Sequence, residues 1–208
     1  LLVYSTDANG GVRTYSYNTA GHLASSTDAL GNETTYECNS AGLILKSTDP
    51  MGNTTEYEYD EAGRITAQIT PLGNRYTYEY SSAGKLVTET DPLGNQRTYA
   101  YNADGFVETE TDWNGNTTTN SYDVQNHLIA MIDALDHETS YEYDTDGNLI
   151  SSTDPKDHTV HYTYDAVGRV TSYKDGNGYE TTYSYDGNGN MTVSTDPLDH
   201  TEKYVYDR

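Results

Sequence analysis

The sequence predicts an all-β protein, built of tandem 21-residue β-hairpin repeats that join into one continuous, curled or spiralling antiparallel sheet. Three observations predict it. Tyrosines recur in strict register, glycines recur between them at the same period, and an aliphatic residue follows each glycine by two positions. No stretch carries the 3.6-residue periodicity of an amphipathic helix.

The first strand of each unit bears two tyrosines. The leading one is Tyr15, Tyr36, Tyr57, Tyr78, Tyr99, Tyr141, Tyr162, Tyr183 or Tyr204, with Asn120 as the exception. The second is Tyr17, Tyr59, Tyr80, Tyr101, Tyr122, Tyr143, Tyr164, Tyr185 or Tyr206, with Cys38 as the exception. Residues i and i+2 share a strand face, so Tyr57 and Tyr59 point one way while Glu56 and Glu58 point the other. That alternation marks a half-buried strand.

Asp-x-x-Gly then closes the hairpin, as in Asp60-Glu61-Ala62-Gly63. Asp bonds its own backbone two residues on, and Gly accepts the positive φ of a tight turn. The turn glycines are Gly21, Gly42, Gly63, Gly84, Gly105, Gly147, Gly168 and Gly189. Leu23, Ile44, Ile65, Leu86, Val107, Leu128, Leu149, Val170 and Met191 anchor the returning strands, and Leu2 occupies the same position at the start. A second turn leads to the next unit: Asp-Pro-x-Gly at 49–52 and 91–94, with a near copy at 196–199. About twenty strands at ~4.8 Å spacing would span on the order of 95 Å, and open sheets seldom exceed about ten strands without curling.

Residues 1–208 read as one array of about ten hairpin units, expected to be cut within a repeat at both ends and to belong to a longer chain. A net charge of -22 and a mean hydropathy of -0.83 would suit a disordered chain, but disorder gives no reason to keep turn glycines in phase. With 11 Lys and Arg against 33 carboxylates, nucleic acid and anionic membrane surfaces are excluded as natural partners. No apolar run is long enough to insert in a membrane as a helix. A single cysteine forbids an internal disulfide, and in its Tyr slot Cys38 reads as a small hydrophobe. Sequons at Asn32, Asn53 and Asn116 arise easily by chance in a chain this rich in Asn and Thr.

No residue set points to catalysis, a cofactor or a metal. His137, His158 and His200 share one register, but equivalent residues lie two strands apart, roughly 9.5 Å, too far for one ion. They read as substitutes for the usual turn Asn. No catalytic triad or nucleophile elbow is visible, and ubiquitous carboxylates single out no acid-base pair, so an enzyme is not expected.

The tyrosine ladder can be core, its hydroxyls served by Thr and Ser, or a surface that stacks on sugar rings. Core is preferred, because exposing every ring would leave only the aliphatic anchors to hold each hairpin. The unit from Asp112 to Asp133 departs from the pattern, with Trp113 for Pro, Asn120 for Tyr, Asn126 for Gly and an apolar run from His127 to Ile132. It reads as a repacked or bulged hairpin; alternatively Trp113, His127 and Met131 form a patch for a partner.

Tyr143-Asp144-Thr145-Asp146-Gly147-Asn148-Leu149 and Tyr164-Asp165-Ala166-Val167-Gly168-Arg169-Val170 resemble the YD repeat of the Rhs family, and Asp49 to Thr55 resembles its inter-repeat turn. The resemblance covers the whole chain. It implies a segment of the spiralling β-sheet shell found in bacterial Rhs polymorphic toxins, Tc toxin C components and teneurins, which in the bacterial members encloses a C-terminal toxin. The implied partners are the shell, plug and cargo domains of the same parent chain, and the implied location is secreted, cell-surface or delivered by a secretion system. Asp-Pro-x-Gly occurs here only at periodic turns, so the family's autoproteolytic role is not carried over. The alternative expectation is an extracellular module that binds glycans or a cell-surface protein.

Overall fold

The computed structural model, which describes residues 1–207, contains twenty β-strands and no helix among them. All twenty belong to one antiparallel sheet. Six-residue first strands such as Thr54–Tyr59 alternate with five-residue returning strands such as Ile65–Ile69. Contacts divide the chain into two compact units, Leu1–Thr98 and a second beginning at Tyr99, and each is described by itself.

In the first unit, the hairpin of Thr54–Tyr59 with Ile65–Ile69 pairs Glu56 with Ile69, Tyr57 with Gln68, Glu58 with Ala67 and Tyr59 with Ile65. Thr66 is therefore an extra residue, a β-bulge opposite the Glu58/Tyr59 step. The same bulge recurs at Ser16/Tyr17, Glu37/Cys38 and Glu79/Tyr80. Successive hairpins join through a shorter ladder, Lys46 with Glu56, Ser47 with Thr55 and Thr48 with Thr54.

The second unit repeats both ladders. Its bulges fall at Ser121/Tyr122, Glu142/Tyr143, Thr163/Tyr164 and Ser184/Tyr185. The Asp112–Asp133 unit is thus bulged, but in the same way as its neighbours: Asn120 pairs with Met131 and Tyr122 with Leu128. A bulge sharpens the local twist of the hairpin that carries it.

Burial is shallow. Among the described residues, Ala67 is the one buried apolar residue, Ser25, Ser151 and Ser172 are the buried polar ones, and no large side chain is fully buried. These four occupy one repeat position, opposite the residue just before the second tyrosine. A small side chain there lets the strands' faces close over it, and where it is Ser the hydroxyl bonds across: Ser16 to Ser25 at 2.8 Å, Ser151 to Glu142 at 2.9 Å and Thr163 to Ser172 at 2.9 Å.

The tyrosines are not a fully buried core. Tyr57 and Tyr59 are half-buried between exposed Glu56 and Glu58, and the other ladder tyrosines follow suit except the exposed Tyr206. Rings in a single sheet layer are covered by their strand neighbours at the sides, while one face stays open to water.

Candidate functional site: a clasp between successive repeats

Most turns are organised by one carboxylate; Asn18, Asn39 and Asn102 put an amide oxygen in that place, and Thr70 and Ser81 a hydroxyl. In the hairpin turn, Asp60 Oδ1 accepts the backbone N–H of Ala62 at 2.9 Å and of Arg64 at 3.0 Å, while Oδ2 accepts Arg64 Nε at 2.7 Å. In the linking turn, Asp49 Oδ1 accepts Met51 N–H and Asn53 N–H, both at 2.8 Å, and Oδ2 accepts Asn53 Nδ2 at 2.8 Å. Gly63 and Gly52 hold φ of +79° and +83°, as the turn chemistry requires. Both turns use the same device, although their sequences differ.

The residue after the turn glycine, legible in the sequence as a usual turn Asn or its His substitute, proves to be the side-chain partner of the turn Asp, which sequence reasoning missed. Asn32, Asn53, Asn95, Asn116, Asn148 and Asn190 all donate Nδ2 to the turn Asp. His137, His158 and His200 take that place through Nδ1 at 3.0, 3.0 and 2.8 Å from Asp133, Asp154 and Asp196. The recurring spacing of four from Asp to Asn or His was the available signal. Where Asn126, Asp136, Asp157 or Asp199 stands in for Gly, the backbone still adopts the left-handed turn, at φ between 62° and 69°.

These bonds stabilise ionised carboxylates. The Asn53 side-chain amide, and then its backbone N–H, hold the Asp49 carboxyl below the ordinary carboxylate range. Asn32, Asn116, Asn148 and Asn190 do the same for Asp28, Asp112, Asp144 and Asp186.

The second tyrosine joins one repeat to the next. Tyr59 O–H donates to the carbonyl of Ile44, the aliphatic anchor fifteen residues earlier, at 2.7 Å. Tyr17, Tyr80, Tyr122, Tyr143, Tyr164, Tyr185 and Tyr206 repeat this bond to Leu2, Ile65, Val107, Leu128, Leu149, Val170 and Met191 at 2.6 to 3.0 Å. The hydroxyls expected to meet Thr or Ser therefore meet backbone instead. The leading tyrosine fits that expectation better, with Tyr36 O–H 3.2 Å from Ser26 Oγ. Burial, with neighbouring tyrosines adding to it, raises the Tyr59 and Tyr164 phenols above their ordinary value, which keeps the donor protonated.

A cover residue completes the clasp. Arg64, paired with Asp60, lays its guanidinium 4.7 Å from the centre of the Tyr80 ring, and Arg169 does the same on Tyr185. His127, bonded to Asp123, stacks on Tyr143 at 4.7 Å, and Phe106 meets Tyr122 at 5.4 Å. His127 also crowds the next turn: a Cβ at Gly147 would stand 3.0 Å from His127 Nε2, so the imidazole would have to give way.

Of the two exceptions in the ladder, Cys38 keeps its slot's acceptor, while Asn120, in a leading slot, turns to the acceptor of the second tyrosine. Cys38 Sγ lies 3.5 Å from the Leu23 carbonyl, and Asn120 Nδ2 donates to the Val107 carbonyl that Tyr122 also uses. The residues expected as a partner patch are not brought together. Trp113 lies in the linking turn at one end of strand Thr117–Tyr122, His127 in the hairpin turn at its other end, and Met131 opposite Asn120 within the sheet. Among the described residues, no three His, Cys, Asp or Glu gather as metal ligands.

A carboxylate-closed turn, a tyrosine and an acceptor one repeat back form a unit that makes sense only in tandem. The profile of the teneurin YD-shell family matches residues 59–208, and that of the RHS repeat matches 1–33, 17–50 and 39–75. The chain belongs to the YD-shell family. Its YD-shell repeats are structural elements, and the Tyr-Asp pair that names them is the clasp donor followed by the turn carboxylate. Among solved structures, this YD-shell segment is similar to a mutant Photorhabdus luminescens Tc holotoxin pore, with a TM-score of 0.64 and 19% identity over 97% of this chain and 15% of that one. It is also similar to the crystal structure of TcdB2-TccC3, with a TM-score of 0.59 and 19% identity over 98% of this chain and 14% of that one. The YD-shell segment thus spans about one seventh of those chains. No curated protein matches it.

Proposed function

We propose that this chain is a length of wall in a large secreted or delivered Rhs-type protein, and that the wall encloses a C-terminal toxin until release. The observation that carries the reading is the clasp: hydroxyl, turn carboxylate and cover residue are all engaged within the sheet, one repeat on the next. Such a surface contributes containment and no chemistry. The partners on this reading are the remaining shell, plug and cargo domains of the parent chain.

Support also comes from family membership and from the fold shared with Tc toxin chains. The same engagement weakens the glycan-binding alternative, since phenols that donate to carbonyls have no second O–H to donate to sugar oxygens. The test is limited proteolysis of the intact parent protein, followed by mass spectrometry. A C-terminal domain that stays protected until the wall unfolds is the expected result. Cleavage of that domain at the rate of an isolated one, with the wall intact, would refute encapsulation.

A further inference from the structure

The hairpin of strands Thr159–Tyr164 and Val170–Lys174 carries a pair of rings that wall building leaves unexplained. Tyr162 and Tyr173 stand directly opposite each other in its ladder, with ring centres 5.4 Å apart and planes inclined at 52°. The fold does not demand the second ring. Opposite Tyr15, Tyr36, Tyr141 and Tyr183 the residue is Ser, and opposite Tyr57 and Tyr78 it is Gln and Glu. Nor does ring packing demand a phenol, since Phe106 serves against Tyr122.

These two phenols also differ from the clasp phenols in what they bond. Tyr164 O–H is committed to the Leu149 carbonyl at 2.8 Å, an acceptor too weakly basic to take its proton. Among the described residues, neither Tyr162 nor Tyr173 gives its hydroxyl a partner within the sheet. Both side chains are half-buried in a single layer that keeps one face open to water. Water is therefore at hand to accept the proton that a phenol releases when it gives up an electron.

We propose that Tyr162 and Tyr173 are an oxidative cross-linking site, joined ring to ring by hydrogen peroxide and a one-electron oxidant of the haem peroxidase class. Each phenol loses one electron and its O–H proton, giving two phenoxyl radicals. A carbon–carbon bond then forms between ring positions ortho to the oxygens, and the two ortho hydrogens shift as protons to the oxygens, restoring both phenols. The two electrons and two protons removed reduce one peroxide to two waters, so the step balances. Contact between the rings makes the coupling intramolecular and favours this pair over tyrosines that must first meet. The strands are already paired, so joining the rings takes a tilt of two side chains and no change of register. The product is a covalent staple across one hairpin of a sheet otherwise held by hydrogen bonds and shallow packing. It does not depend on what the wall encloses.

Treatment of the folded 208-residue chain with hydrogen peroxide and a haem peroxidase, dilute enough to keep products monomeric, tests the proposal. The expected result is a monomer lighter by two hydrogens, with dityrosine fluorescence and a linked peptide pair that tandem mass spectrometry maps to Tyr162 and Tyr173. Tyr173→Phe keeps the ring contact but removes one phenol, so the yield of intramolecular link should fall about tenfold or more with circular dichroism unchanged. Should that variant misfold, Tyr173→Ser, which restores the commonest residue of that slot, gives the same loss. Tyr183→Phe, which alters a leading tyrosine facing Ser194, should link as the parent does. In urea the preference should vanish, with links scattered among the tyrosines. A folded chain that acquires no link while free tyrosine in the same tube is coupled would overturn the proposal. So would links that fall on other pairs, or that survive loss of the Tyr173 phenol, because contact would then not direct the coupling.

Discussion

Replacing Cys38 with tyrosine tests the clasp where the chain itself departs from it. The acceptor and the cover residue are in place, although Asn18 and Asn39 close the turns where other repeats use Asp: the Leu23 carbonyl lies 3.5 Å from Sγ, and His22 stands where His127 stands in the repeat that stacks on Tyr143. A Cβ on Gly42 would meet His22 at 3.1 Å, as one on Gly147 would meet His127 at 3.0 Å, so the two cover residues are placed alike. A neutral, half-buried hydroxyl-to-carbonyl bond contributes about 0.5–1.5 kcal/mol net. Burying roughly 50 Å² more apolar surface than Cys does adds about 1 kcal/mol at 25 cal/mol per Å². Ordering the longer side chain costs about 0.5–1 kcal/mol. The net expectation for Cys38→Tyr is a gain of about 1 kcal/mol, and Cys38→Phe should lack the hydroxyl's share of about 0.5–1.5 kcal/mol. Because repeat arrays store stability in nearest-neighbour contacts, hydrogen exchange of residues 22–44 is the direct assay, with urea unfolding as a second. A Cys38→Tyr variant no better protected than the Cys38→Phe variant would refute the claim that the hydroxyl binds repeats together.

Other predictions concern the turns and the phenols. Asp136→Gly and Asp157→Gly should each stabilise by about 0.5–1 kcal/mol, since both positions hold φ of 62°, and Gly52→Ala should cost about 1 kcal/mol at φ +83°; thermal unfolding reads both signs. Because side-chain and backbone N–H donors depress the Asp28, Asp49, Asp112, Asp144 and Asp186 carboxyls below the reference 3.8, their contribution is full above that value and is lost as pH falls through the lower folded values. Acid unfolding is thus expected below about pH 4, and Asn53→Ala should reduce the acid-dependent loss; stability that rose steadily from pH 5 to 2 would contradict it. Burial raises Tyr59, Tyr101 and Tyr164 above 10.0, so their contribution is full below pH 10 and is lost as pH climbs through the raised values. Tyrosinate absorbance should then rise together with loss of strand signal, and titration of these phenols in a sheet that stays folded would count against the clasp.

The repeat period carried most of the fold. Tyr57 and Tyr59 alternating with Glu56 and Glu58, and Asp60 three residues before Gly63, made strand, face and turn legible because each follows from local backbone geometry. What escaped was non-local. The bulge at Thr66 depends on how two strands pair, and no residue type announces it. The phenol partner was misassigned because the nearest hydroxyls in sequence are not those nearest in space: Tyr59 crosses to Ile44 in the preceding returning strand. His137, His158 and His200 read as turn residues because their spacing forbids a shared ion, yet that spacing alone does not name their partner, the turn Asp four residues before each. Trp113, His127 and Met131 looked like one patch because they are close in sequence, but a six-residue strand separates their turns.

The absence of any fully buried large side chain among the described residues has an evolutionary consequence. A packed core restricts volume at every interior position, whereas a single layer held by turns and clasps asks for little beyond residue class at a few slots. A fold shared over 97% of the chain at 19% identity accords with that latitude. Insertion is another matter. One added residue in a strand would exchange its two faces, moving the tyrosine off its carbonyl and exposing the small residue that lets the strands close. Such a wall can change nearly all its letters over time, but it must keep its count of 21 between one tyrosine and the next.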